Sequence, residues 1–194
     1  MRKWHFIAVL SLLNGCSSGP PVRFYTLDPV ESPHLVTARS SALVQVVAVH
    51  LPSELNRKLM VAQTAPNSLT ISEQDRWGAP LADMFRRALT QDLIQRVSHG
   101  QVIMPEGTAP SGTKLIAIDI LKFQRETDGI VVMDGSWTVS TAGSDDPGIQ
   151  HPLTLTTSVA QDGTVAQIGA AAQAHAMSQL VGLLADTIAA EYSH

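Results

Sequence analysis

The chain carries a single cysteine, Cys16, and it stands directly behind a short apolar run at the N-terminus. One thiol closes no disulfide within the chain and supplies no zinc site built on several thiolates. Folding must therefore rest on an apolar core. The composition provides for one: hydrophobic residues make up 44% of the 194 residues, and a domain takes about 100–200 residues. Charged residues are 15%, below the usual value of about 25%. A disordered chain needs the opposite balance, low hydrophobicity with high net charge. The formal net charge is -4 and the isoelectric point about 5.9. Nucleic-acid-binding domains carry a basic patch and an isoelectric point above about 9, so no nucleic acid partner is expected.

The N-terminus has the order of a secretion signal. Met1-Arg2-Lys3 is a short positive region, and Trp4 to Leu13 follows as an apolar run of about ten residues. A secretory apolar region is about 7–15 residues, whereas a membrane-spanning helix needs about 20. The run ends Leu13-Asn14-Gly15-Cys16, which resembles a bacterial lipobox, in which an apolar residue precedes two small ones and then a cysteine; Gly15 matches the small residue before cleavage. Asn14 stands where Ala or Ser is commoner. Residues 1–15 are read as a lipoprotein signal peptide and Cys16 as the lipidated first residue of the mature chain. The alternative is a buried N-terminal helix with a stray cysteine. It accounts for neither the charge order nor the run length. Cleavage removes Arg2 and Lys3 and no acid, so 13 basic and 17 acidic residues become 11 and 17, a net charge of -6. That balance argues against a polybasic grip on anionic lipid. The attachment is expected to be covalent, since one acyl chain binds marginally at about 0.8 kcal/mol per buried CH₂ and two or more anchor stably. Bacterial lipoproteins of this pattern carry three. Ser17, in place of an Asp that favours inner-membrane retention, points to the outer membrane.

Residues 16–42 are read as the lipidated N-terminus and a tether. Ser17-Ser18-Gly19-Pro20-Pro21 has no apolar periodicity, and a short strand is placed at residues 24–27. The domain proper is assigned to residues 43–194. Leu43 to Leu51 is a β-branched run closed by Pro52, hence a mostly buried strand. Leu59–Gln63 and Ser68–Ile71 flank Ala65-Pro66-Asn67 as a hairpin. Leu81, Phe85, Leu89, Leu93 and Val97 recur every fourth residue, which makes a helix, with Pro80 in its first turn and His99-Gly100 after its end. Gln101–Met104 is a short strand. Leu115–Phe123 and Ile130–Thr141 are longer strands joined at Asp128-Gly129, and Pro152–Val159 is a third. The Ala-rich C-terminal stretch is helical, either from about Thr164 with Asp162 as N-cap or from near Ala170 after a hairpin at Asp162-Gly163. The order β–ββ–α–β–βββ–α predicts an α/β class fold, an α+β sandwich in which two main helices cover a mixed, hairpin-rich sheet.

No catalytic constellation is present. The sequence lacks Gly-x-Ser-x-Gly, Gly-x-Gly-x-x-Gly, a phosphate-binding loop and His-Glu-x-x-His. Its seven histidines are scattered without metal-ligand spacing, and Asp145-Asp146 reads as a solvated turn rather than a calcium loop. No metal, no cofactor and no enzyme activity are expected, and Cys16 as a thioether cannot be a nucleophile. One local feature has two readings. Arg76-Trp77, at a helix entrance, is either a partner-facing anchor, since Trp and Arg are enriched at interface hot spots, or a Trp packed over the end of the sheet.

Several stretches in order resemble the ABC-type transport auxiliary lipoprotein family, the PqiC-like proteins. They are Phe24-Tyr25-Thr26-Leu27 after the lipid cysteine, Val49-His50-Leu51-Pro52 running on through Leu55 to Arg57, Met60-Val61 and Asn67-Ser68-Leu69. Arg76-Trp77-Gly78-Ala79-Pro80-Leu81, Leu121-Lys122-Phe123, Gly135-Ser136-Trp137 and Leu180 to Ala190 follow. Glu54 stands where the family often has an aromatic. The resemblance implies a three-layer mixed sheet similar to anticodon-binding-domain-like and TolB N-terminal folds. It implies an outer-membrane lipoprotein facing the periplasm and no catalytic residues. Its implied partners are an MCE-domain inner-membrane or periplasmic protein and its permease, in a system that moves lipid and maintains membrane integrity. A homo-oligomer is left open. Two rivals are an envelope hydrolase, which lacks its constellation here, and a structural or assembly-factor envelope lipoprotein, which only the partner would distinguish.

Overall fold

The computed structural model describes residues 20–31, 42–97, 101–159 and 169–191. The signal peptide, Cys16 and Asp162 lie outside the described residues. Eight strands and two helices occur in the expected order: β1 (Arg23–Tyr25), β2 (Val44–His50), β3 (Leu59–Ala65), β4 (Ser68–Trp77), α1 (Leu81–Arg96), β5 (Val102–Ile103), β6 (Lys114–Arg125), β7 (Ile130–Thr141), β8 (Ile149–Ser158) and α2 (Ala170–Glu191).

The long strand β6 organises the sheet. One of its edges pairs antiparallel with β7 from Lys114↔Thr141 to Arg125↔Val131. The other pairs parallel with β2 along its first half and meets β3 at Ala62↔Arg125. From β3 the sheet continues through β4 to β1, and from β7 to β8. Parallel neighbours need a crossover, and α1 supplies one between β2 and β5. The β6–β7 turn is closed locally: Gly129 adopts φ 83, the Glu126 amide donates to the Ile130 carbonyl at 2.7 Å, and the Ile130 amide donates to Asp128 Oδ1 at 3.0 Å.

Alternation on the strands and the i+4 stripes on the helices meet in one core. Ile116, Ile118, Met133 and Trp137 of the sheet, Leu81, Phe85, Leu89 and Leu93 of α1, and Met177, Leu180, Leu184 and Ile188 of α2 are all buried in it. Phe85 and Phe123 meet edge to face at 5.4 Å, fastening α1 to β6. The helices pack on each other as well as on the sheet. Among the described residues the arrangement therefore has two layers, a curled sheet and a helix pair, rather than the three expected from the resemblance. Two boundaries also differ. β4 runs on to Trp77 instead of stopping at Ile71, because its last residues pair with the N-terminal strand. Pro80 sits one residue before α1, where its missing N–H costs nothing. α2 begins at Ala170, the later of the two starts considered.

Candidate functional site: the N-terminal strap and its socket

The two stretches Phe24–Leu27 and Arg76–Leu81, far apart in sequence, come together. β1 adds to β4 as a parallel edge strand with Arg23↔Asp75, Phe24↔Arg76 and Tyr25↔Trp77 in register. The ladder continues where the Gly78 amide donates to the Tyr25 carbonyl at 2.8 Å. Arg23 Nε donates to Asp75 Oδ1 at 2.7 Å, and Ser72 Oγ donates to Asp75 Oδ2 at 2.8 Å. Burial pushes the Asp75 pKa up, but hydrogen bonds from Arg23, Ser72 and Tyr25 outweigh it and hold the carboxyl below its ordinary value.

Beyond β1 the chain straps across both helices. Leu27 enters the core at 6% exposure. The Asp28 amide donates to Ser178 Oγ on α2 at 3.1 Å, and the Val30 amide donates to Asp92 Oδ1 on α1 at 2.7 Å. Arg96, one helical turn after Asp92, closes the socket. Its Nε donates to Asp186 Oδ1 on α2 at 2.6 Å, and its Nη1 donates to the carbonyls of Asp92 at 3.0 Å and Val30 at 3.3 Å. The Asp92 and Arg96 side chains, 3.3 Å apart, are 0% and 2% exposed. Burial pushes the Asp92 pKa up to about 6; the Val30 amide and the Arg96 guanidinium offset only part of that penalty. Among the described residues Asp92 Oδ2 has no hydrogen-bond partner. Gly182 on α2 makes room for the strap, since a Cβ there would lie 3.1 Å from Val30 Cβ and 3.3 Å from Arg96 Nη2. A guanidinium held between two carboxylates and one strap carbonyl can position a chain; it offers no nucleophile or poised proton-transfer pair to a substrate.

Among the described residues, open clefts lie at the strap, on the sheet and at the start of α1. One of about 420 Å³ lies between the strap and the start of α2, lined by Phe24, Asp28, Glu31, Ala171 and His175 among others. A second of about 510 Å³ lies on the sheet between Asp119, Leu121, Ser136, Gln150 and Pro152, where His50 Nδ1 meets Asp119 Oδ1 at 2.7 Å. The third, about 430 Å³, sits at the start of α1 beside the Arg86–Glu106 pair, whose Nη2 and Oε1 are 2.7 Å apart. Among the described residues no group of three His, Cys, Asp or Glu side chains could hold a metal ion. No described helix is long and apolar enough to cross a membrane.

Of the residues singled out in sequence, Cys16 lies outside the described residues. Trp77 is 4% exposed and packs in the core, which agrees with the second of its two readings. Arg76 is half-buried, in register with Phe24. Sequence reasoning missed the socket. Its signal was present: Asp92 and Arg96 are charged residues four apart, each next to a member of the apolar α1 stripe, where a solvated helix face would not put them.

The description ABC-type transport auxiliary lipoprotein component belongs to the family whose model matches residues 25–189 of this chain. The crystal structure of an uncharacterized protein superposes with a TM-score of 0.65 at 22% identity, covering 89% of this chain and 99% of that one. That of protein XCC0632 from Xanthomonas campestris, assigned to DUF330, does so with a TM-score of 0.55 at 14% identity, covering 86% and 91%. At these identities the two likenesses speak for the fold. No curated protein matches the sequence.

Proposed function

The chain belongs to the ABC-type transport auxiliary lipoprotein family, and from that membership we propose that it is an outer-membrane lipoprotein, lipidated on Cys16. In this reading it serves, without catalysis of its own, as the auxiliary component of an MCE/ABC-type lipid transport system that maintains membrane integrity. The family match across residues 25–189 carries this reading. The strap gives it a mechanism. Because β1 and the residues up to Glu31 belong to the folded domain, only residues 17–22 separate the lipid-bearing cysteine from Arg23. Six residues reach at most about 20 Å. The domain is thereby confined to a thin layer on the periplasmic face of its membrane. Confinement raises its effective concentration for a protein reaching across from the inner membrane, so a modest docking surface suffices. The absence of a catalytic motif in the sequence fits an adaptor, and the MCE-domain protein with its permease is the expected partner.

The test is co-purification of the lipidated protein with the MCE-domain protein in mild detergent, together with detergent sensitivity of a deletion strain. Retention of that partner and a sensitised strain are the expected results. A Cys16→Ala variant should leave the membrane fraction and lose the acyl mass. If no transporter component is retained and the deletion strain is unaffected, the transport role fails and a structural or assembly-factor lipoprotein is the better description.

A further inference from the structure

We propose that the edge strand β1 is the membrane-contacting edge of the domain, with Phe24 and Val22 seated in the headgroup–acyl boundary of the bilayer that holds the lipid anchor. The inference rests on the reading of Cys16 as lipidated. Phe24 is 66% exposed and Val22 is 42% exposed. Among the described residues, Phe24 is the one aromatic side chain left open to solvent; Trp77, Phe85, Phe123 and Trp137 are buried and Tyr25 is half-buried. Two residues apart in extended chain, Val22 and Phe24 fall on one side. An apolar side chain in that position loses burial for no structural gain.

Three observations choose a lipid surface as the occupant. First, the chain between Cys16 and β1 is short: Val22 is the sixth residue after the cysteine, and six residues span at most about 20 Å. The part of the domain nearest the anchor is therefore β1. Second, among the described residues β1 is the edge of the sheet, paired with β4 alone, so its other side meets no described strand. Third, Arg76, the half-buried register partner of Phe24, lies on the same side of the sheet, whereas Arg23 projects to the other side, where its Nε is held by Asp75. An aromatic ring with a basic side chain beside it suits the interface, where the ring sits at headgroup depth and a long basic side chain reaches phosphate. The cleft beside Phe24 also carries Asp28 and Glu31, which limits insertion to the edge strand itself. With the covalent anchor, this contact turns the β1 edge of the sheet to the bilayer; β6, which carries Leu121, lies three strands away in the sheet order, about 14 Å.

The experiment uses full-length lipidated protein in phosphatidylcholine vesicles, a zwitterionic bilayer chosen because the mature chain is net negative. Phe24→Trp and Leu121→Trp variants are compared by tryptophan fluorescence, with lipids brominated high on the acyl chain as quenchers; Leu121 is 77% exposed and serves as the distal probe. Flotation with the vesicles is checked first. If the wild type fails to float, the lipoprotein reading itself fails. Given flotation, the proposal expects the added tryptophan at 24 to shift to the blue and lose intensity to the bromines, while the one at 121 does neither. Flotation with position 24 unshifted and unquenched, or with both positions quenched alike, overturns the proposal. The first of those outcomes leaves β1 as a protein-pairing edge. Because Phe24 is a surface residue, the Phe24→Trp variant should melt as the wild type does, which separates misfolding from misplacement.

Discussion

The strap socket and the β6–β7–β8 meander are both buried, and they are held together by opposite means. The meander is local in sequence. Short turns join its strands, and Ile116, Ile118, Met133 and Trp137 bury apolar surface by simple alternation. The socket gathers Val30, Asp92, Arg96 and Asp186, separated by up to 90 residues between the ion-paired groups, around a buried guanidinium. The apolar region supplies stability that depends on area and shape. The polar region adds little net stability, because desolvation offsets most of the Coulomb gain, but it admits one placement of the strap. The meander thus makes the domain, and the socket decides where the N-terminal chain leaves it.

The largest expected effect lies at the apolar contact between α1 and the sheet. Phe85 is 0% exposed and rests edge to face on Phe123. Phe85→Ala should cost about 3–5 kcal/mol, read as a fall in denaturation midpoint for the whole domain. An unchanged midpoint would break the assignment of α1 to the core.

Next in size is a pH effect at the socket. Asp92 titrates near 6 in the folded protein against an ordinary 3.8. A carboxyl whose folded pKa is raised binds its proton more tightly when folded, so the fold gains stability from this group as pH falls from about 6 to about 4. At 1.36 kcal/mol for each pKa unit the gain is up to about 3 kcal/mol. Asp75 works the other way. Its lowered pKa stabilises the fold above 3.8, and that contribution is lost only below it. Denaturant titrations of the wild type and Asp92→Asn across pH 4–7 should differ in slope between about 4 and 6. Parallel curves would contradict the buried, ionisable Asp92.

The comparison also marks what could be read from the sequence. The hairpins, the α1 stripe and the order of elements were legible, because alternation and i+4 spacing are local and β-branched runs bounded by turn residues are unambiguous. Trp77 has two readings in the sequence because a single aromatic at a helix entrance has no periodicity. The final stretch of β4 and the strap were not legible. β4 extends past Ile71 because β1 and the start of β3 both pair with its end, and Asp92 and Arg96 interrupt the apolar pattern for a contact with Val30 that no local window contains. Tertiary pairing, rather than propensity, decides those segments.

A smaller effect sharpens the strap geometry. Gly182→Ala brings a methyl within 3.1 Å of Val30 and should destabilise the domain by about 1–3 kcal/mol, as overpacking does. Restoration by Val30→Ala in the double variant would place the clash between those two residues; additive losses would place it elsewhere. The smallest effect is at the edge strand. Phe24→Ser, at 66% exposure, should stay within about 0.5 kcal/mol of the wild type, measured by the same denaturation midpoint.

The central claim is that residues 26–31 are part of the folded domain, seated by the bond from the Val30 amide to Asp92. Amide hydrogen exchange at Val30 tests this most directly, with Ile118 in β6 as the internal standard. The account predicts slow exchange at both positions in the wild type, and in Asp92→Ala a selective loss of protection at Val30 while Ile118 stays protected. Exchange at Val30 in the wild type as fast as in an unstructured peptide would contradict the socket, and with it the short tether on which the membrane-proximal placement depends.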